Sequence, residues 1–160
     1  MSFFERVLLA FEKYQVPYSI VGGYALALHG APRGTIDIDC IISHRKADFL
    51  NCEAALKSIG LESRLPVRAE EVFSFRQEYI EKRNMIAWGF VNLLNPLECL
   101  NVIITHDLRS LRSVRYKFGL HKVPVLSIED LIQMKRLSGR PQDLEDIKSL
   151  EIILERKKNK

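Results

Sequence analysis

With 160 residues, of which 47% are hydrophobic and 28% charged, the chain has the composition of one soluble globular domain able to bury a sizeable core, and two domains are disfavoured. No apolar run reaches the roughly 18 residues of a membrane span, and the start lacks a secretory pattern, so the expected location is the cytoplasm. The net charge of +4 owes part of its excess to Arg156, Lys157, Lys158 and Lys160, read as a solvated basic tail over 156–160 that follows a single domain over 1–155. Cys40, Cys52 and Cys99 have no CxxC or CxxH spacing, which favours reduced thiols over disulfides or zinc ligands.

Ser2 is placed to cap a first helix whose Phe4, Val7, Leu8 and Phe11 recur at helical spacing up to Tyr14. Pro17 stops that helix before an apolar strand, Tyr18 to Val21, and Gly22-Gly23 then turns into a short helix from Tyr24 to Leu28. From Ile36 to Ile42 the apolar residues alternate with Asp37 and Asp39, as in a strand that projects both acids from one face. Ser43 is expected to cap a helix containing Phe49, Cys52, Leu56 and Ile59, closed by Gly60.

Beyond Pro66, the residues Val72, Phe73, Tyr79 and Ile80 suggest one helix, and Trp88 to Leu94 and Leu97 to Ile104 read as a hairpin joined at Asn95-Pro96. Arg109, Arg112 and Arg115 recur every three positions and would share one face of a helix, with a solvated face preferred to a phosphate- or RNA-binding one. Val123 to Leu126 is extended, and Ser127 caps a helix with Ile128, Leu131 and Ile132 inward that ends near Ser138-Gly139. Pro141 suits the first turn of a last helix with an inward stripe of Leu144, Ile147, Leu150 and Leu154. The four histidines are scattered, and His29 reads as a cap or core-edge residue.

Two segments carry chemistry. Like charges side by side repel, and a fold tolerates Asp37 beside Asp39 when a cation sits between them. Backbone N–H groups at the Gly22-Gly23 turn and helix start attract phosphate. An anion cradle in front of a divalent-metal site is the equipment for handling a nucleoside triphosphate.

The stretch GGYALALHGAPRGTIDID resembles the signature of the polymerase-beta-like nucleotidyltransferase superfamily, in particular its small bacterial branch of abortive-infection, antibiotic and minimal nucleotidyltransferases. The ending LSIEDLIQMKRLSGRPQDLEDIKSLE is similar to the same branch, with Lys135, Arg140 and Asp143 matching and Gln142 standing where lysine is usual; the alternative for Arg140 with Asp143 or Asp146 is a structural ion pair. The resemblance implies a single α/β (α+β) domain with a mixed sheet flanked by helices. It also implies Mg²⁺-dependent transfer of a nucleoside monophosphate from an NTP to a hydroxyl acceptor. Asp37 and Asp39 would hold Mg²⁺ and take part in catalysis; Gly22, Gly23, Arg33, Thr35 and Lys135 would bind the nucleotide.

A third acid expected on a later strand is replaced by Asn101, which can offer an oxygen to a metal but cannot accept a proton as a carboxylate does. Glu98, the nearest acid, should face away in a regular strand. The alternative reading is therefore a catalytically inactive nucleotide-binding or protein-interaction module, such as a toxin–antitoxin component. Partners beyond the nucleoside triphosphate are a small-molecule acceptor or a protein. Nucleic acid is disfavoured because no aromatic-rich recognition motif accompanies the arginines.

Overall fold

The computed structural model describes all residues from Met1 to Lys160 and begins with α1 (Phe3–Lys13), where Ser2 and Glu5 form a reciprocal capping box. Phe4, Val7, Leu8 and Phe11 are buried, as their spacing predicts. β1 (Tyr18–Val21) runs directly into α2 (Gly22–His29), and β2 (Ile38–Ile42) follows after a loop. The strand is shorter at its start than the alternation suggests: Asp37 precedes the ladder and Asp39 lies within it. α3 (Lys46–Ser58) is capped by the backbone at Arg45 without a side-chain bond, so Ser43 is not its cap; Ser43 is buried beyond the end of β2.

The region after Pro66 holds two helices rather than one, α4 (Ala69–Ser74) and α5 (Arg76–Arg83), broken at Phe75. A two-residue β3 (Glu62–Ser63) precedes them and pairs with β4 (Ala87–Asn92). β4 and β5 (Asn95–Ile103) form the expected hairpin, but its turn is Leu93-Leu94, with Asn92 opposite Asn95 and its side chain accepting the Leu94 N–H at 3.0 Å. Pro96 is tolerated inside β5 because the neighbouring β2 pairs only from Leu100 onward, leaving no ladder bond there for proline to break.

The arginine triplet is not helical. Leu108–Ser110 is a single 3₁₀ turn, and β6 (Ser113–Phe118) pairs antiparallel with β7 (His121–Leu126). α6 (Ile128–Ser138) starts on a Ser127 cap and ends at Gly139, whose φ of 65° is the left-handed stop that glycine favours. α7 (Pro141–Lys158) has proline in its first turn.

The sheet order β3-β4-β5-β2-β1-β7-β6 places β2 near the middle, parallel to β5 and antiparallel to β1. Ile38, Cys40, Ile41 and Ile42 are all buried, as expected of a strand covered on both faces. Trp88, Phe90 and Phe49 fill the core beside β4, while His29 bridges Tyr116 Oη and the Leu126 carbonyl at 2.7 and 2.8 Å. No helix is long and apolar enough to cross a membrane.

α7 departs from its predicted stripe in an informative way. Ile147 and Leu150 are buried, but Leu144 is 53% exposed, and the positions turned inward before them belong to Asp143 and Asp146. We expect Leu150→Ala to cost about 2–5 kcal/mol, through lost burial and the cavity left behind. Leu144→Ala should stay within about 0.5 kcal/mol, as is usual for surface positions. Urea denaturation of the two variants checks the difference, and equal losses would contradict this docking of α7.

Candidate active-site cleft

The site begins where β1 becomes α2. Val21 pairs with Asp39 across the ladder, and Gly22 takes a φ of 69°, which side chains rarely adopt. A Cβ on Gly22 would lie 2.2 Å from Asp39 Oδ2, and one on Gly23 would lie 2.6 Å from the Thr35 Cβ. Gly22 is thus required by close approach as well as by the turn, and Gly23 by close approach. No side chain caps α2, whose first-turn residues Gly22 and Gly23 line the cleft, and the first N–H groups of a helix have no intrahelical partner.

Register on the other side of β2 places Asn101 directly opposite Asp39. Asn101 Nδ2 donates to Asp39 Oδ1 at 3.0 Å. Burial pushes the Asp39 carboxyl above its ordinary range; the Asn101 hydrogen bond opposes that shift and neighbouring Asp37 adds to it. Thr35 Oγ1 donates to the Asp37 carbonyl at 3.2 Å, fixing the loop that carries Asp37 into the strand. Glu98 is turned away: its carboxylate binds Arg6 of α1 and accepts from Asn92 Nδ2 at 2.9 Å. The regular alternation of β5 therefore leaves the amide of Asn101, not an acid, beside Asp39.

The third wall comes from α6 and α7. Lys135 Nζ donates to Asp146 Oδ2 at 2.9 Å and lies 3.5 Å from Asp143 Oδ1. Arg33 Nε donates to Asp146 Oδ1 at 3.2 Å, and Arg140 Nε to Asp143 Oδ2 at 2.9 Å. Asp143 and Asp146 are 2% and 3% exposed, so each is a buried charge that needs these partners. Burial opposes ionisation of Asp143, but hydrogen bonds from Arg140 and Ser138 outweigh it and bring the carboxyl down to about 2. Asp146 is likewise held below its ordinary range, against burial, by Lys135 and Gln142. Sequence reasoning took Lys135 and Arg33 as phosphate contacts and gave α7 an aliphatic stripe; its alternative of a structural ion pair between Arg140 and Asp143 or Asp146 holds for Asp143. The signal for the acids was the i, i+3 pair Asp143 and Asp146 on the face that Ile147 and Leu150 share.

All eight sequence-predicted residues line one cleft of about 890 Å³: Gly22, Gly23, Arg33, Thr35, Asp37, Asp39, Asn101 and Lys135. The arginines at 112 and 115 lie outside it. Arg109 belongs to a separate polar pocket with His44, Arg76 and Asp107, where its guanidinium binds Asp107 at 2.7 Å.

Two carboxylates on one wall, desolvated at Asp39 and without histidine or thiol, are a hard-oxygen donor set of the kind Mg²⁺ takes. No group of three or more acidic, histidine or cysteine side chains is placed to hold a metal. The residues thus fit a Mg²⁺ that takes part of its coordination from outside the protein, not one caged by protein alone.

Residues 3–157 match the family described as Nucleotidyltransferase of unknown function (DUF6036). None of the curated proteins matches in sequence. Among solved structures, ANT(2'')-Ia in complex with adenylyl-2''-tobramycin superposes with a TM-score of 0.63 at 14% identity, over 94% of this chain and 87% of that one. The lincomycin-bound lincosamide antibiotic adenylyltransferase LnuA gives 0.60 at 15% identity, over 94% and 96%. An antigenic nucleotidyltransferase-like protein from Paracoccidioides brasiliensis gives 0.57 at 19%, over 92% and 74%. At these identities the likeness is one of fold.

The buried acids of α7 generate a pH dependence. An Asp143 carboxyl at about 2 when folded, against an unfolded value of about 3.9, contributes stability that is complete above the unfolded value and is lost as pH falls through the folded one. We expect the wild type to lose about 1–2 kcal/mol more than Asp143→Asn between pH 5 and pH 2, read from urea midpoints. Parallel losses in the two proteins would show that the Asp143 pairing does not stabilise the fold.

Proposed function

The chain belongs to the nucleotidyltransferase family DUF6036, within the polymerase-beta-like superfamily, and on that premise we propose that it binds a nucleoside triphosphate with Mg²⁺ and transfers the nucleoside monophosphate to a hydroxyl. The observation that carries this reading is the convergence of Asp37, Asp39 and the Gly22-Gly23 turn on one cleft. The N–H groups at the start of α2 bind the phosphates, and Lys135 and Arg33 compensate their charge from the opposite wall. Asp37 and Asp39 would hold Mg²⁺, which supplies neutralisation and orientation of the triphosphate.

In the transfer step the acceptor oxygen bonds to the α-phosphorus, the α–β anhydride bond breaks, and pyrophosphate leaves. The acceptor's proton passes to solvent, because Asn101 is neutral and carries no basic oxygen of carboxylate strength. General-base assistance is typically worth ~10²–10⁴-fold, so transfer by the chain alone is slow. The Asn101–Asp39 hydrogen bond favours one second reading, a nucleotide-binding module that works with a protein partner, such as a toxin–antitoxin component, and leaves the chemistry undone.

Calorimetry with each NTP at millimolar Mg²⁺ tests binding, which should weaken at least about tenfold in Asp37→Asn and in Asp39→Asn with the fold retained. Absence of binding by the unmodified protein would refute both the transferase and the nucleotide-binding module. Asn101→Asp adds the missing charge in nearly equal volume, so it should tighten Mg²⁺ binding and raise pyrophosphate release toward the range lost. Robust release by the unmodified protein that falls in Asn101→Asp would place the amide in a competent active site.

A further inference from the structure

The cleft adjoins a second chamber of about 410 Å³, and the two share Gly22, Asp39, Ile86, Ile103 and the Lys135–Arg140–Asp143 cluster. Beyond the shared residues its lining turns apolar: Val21, Leu131, Met134 and Leu137 join Ile86 and Ile103, with Thr105, His106 and Ser138 as polar points. Ile86 and Leu137 are 53% and 75% exposed although they belong to separate elements, the approach to β4 and the end of α6. Aliphatic side chains from unconnected segments that converge, half in water, on a concavity of this volume form the usual lining of a small-molecule site.

We propose that this chamber is the acceptor site, and that the acceptor is a small uncharged alcohol with an apolar body. The inference rests on the nucleotide reading of the neighbouring cleft. The main cleft is by itself as large as a whole-ligand pocket, so the triphosphate and its base have room without the chamber. The shared Gly22–Asp39 wall puts a hydroxyl at the chamber mouth beside the phosphates, with the apolar body turned toward Met134 and Leu137.

Charge narrows the class further. The chamber's cations are Lys135 and Arg140, and its acids are Asp39 and Asp143. Asp143 is already bound by Arg140 and approached by Lys135, and Asp39 faces the nucleotide side and accepts from Asn101. A polyamine would meet two cationic side chains, and the one carboxylate without an ion-pair partner, Asp39, is the one that holds Mg²⁺ in the nucleotide reading. A neutral alcohol has only to bury its apolar surface and satisfy its hydroxyls at Thr105, His106 or Ser138.

The test uses the full chain and three probes: hexyl glucoside, glucose and hexylamine. Measured by saturation-transfer NMR without nucleotide, hexyl glucoside should bind at least about tenfold more tightly than glucose or hexylamine, because only it couples a buried alkyl chain to neutral hydroxyls. Met134→Trp, which fills the chamber, and Leu137→Gln, at an exposed position that lines the chamber but not the nucleotide cleft, should each weaken hexyl glucoside at least about fivefold. Both should leave ATP·Mg²⁺ affinity within about twofold. Equal binding of hexyl glucoside and glucose would overturn the proposal, as would preference for hexylamine. So would variants that weaken ATP·Mg²⁺ while sparing hexyl glucoside, since the chamber would then hold part of the nucleotide. Because the probe is bound without nucleotide, failure of ATP binding in the unmodified protein sinks the nucleotide reading separately from this result.

Discussion

Asp39 is the residue whose placement the rest of the site depends on. It sits in β2 opposite Val21 on one side and Asn101 on the other, and its carboxylate touches the backbone of Gly22 so closely that no side chain could grow there. The register of β2 decides which side chain borders the cleft, because a slip by one residue would carry Asp39 to the face where Ile38, Cys40 and Ile42 are buried. The apolar packing of Ile38, Cys40 and Ile42 therefore aims the charge, and the left-handed turn at Gly22 sets the start of α2 beside it.

Around that fixed charge the electrostatics divide into two kinds. Asp143 and Asp146 are buried with partners in place, and their carboxyls are held low by the cations they bind. Asp39 is buried with only a neutral amide beside it, and burial drives its carboxyl the other way. The first pair organises the α6–α7 wall and orients Lys135, Arg33 and Arg140. The second leaves negative charge without a protein cation in contact, the condition in which a bound cation does most to stabilise the ionised form. Two acids of equal chemistry thus take different parts because the helices surround one set and the open cleft borders the other.

The opening elements were legible because their signals are local. The Ser2 capping box, the strand before Gly22, the alternation around Asp37 and Asp39 and the Ser127 and Gly139 limits of α6 each depend on residues a few positions apart. Where two local patterns competed, reading failed: arginines every three residues concealed the alternation of Val114, Tyr116 and Phe118 that makes β6 a strand. The hairpin turn was misplaced because Asn95-Pro96 is a strong turn signal, but Asn92 captures the Leu94 N–H and the strand tolerates Pro96 where β2 does not reach it.

The sequence by itself determined most of the elements and their limits, and the spacing of Asp37 and Asp39 downstream of a glycine turn, since period, spacing and residue chemistry are properties of neighbours in the chain; the expectation of an acid at Asn101 came from the family resemblance. Only the tertiary structure decided that Asn101 bonds Asp39, that Glu98 is held by Arg6, that α7 turns Asp143 and Asp146 inward to bind Lys135 and Arg33, and that an apolar chamber borders the cleft. Each of these joins residues from distant segments. Their contacts are set by strand order, register and helix docking, which arise from burying one shared core and leave no mark on any short stretch of sequence.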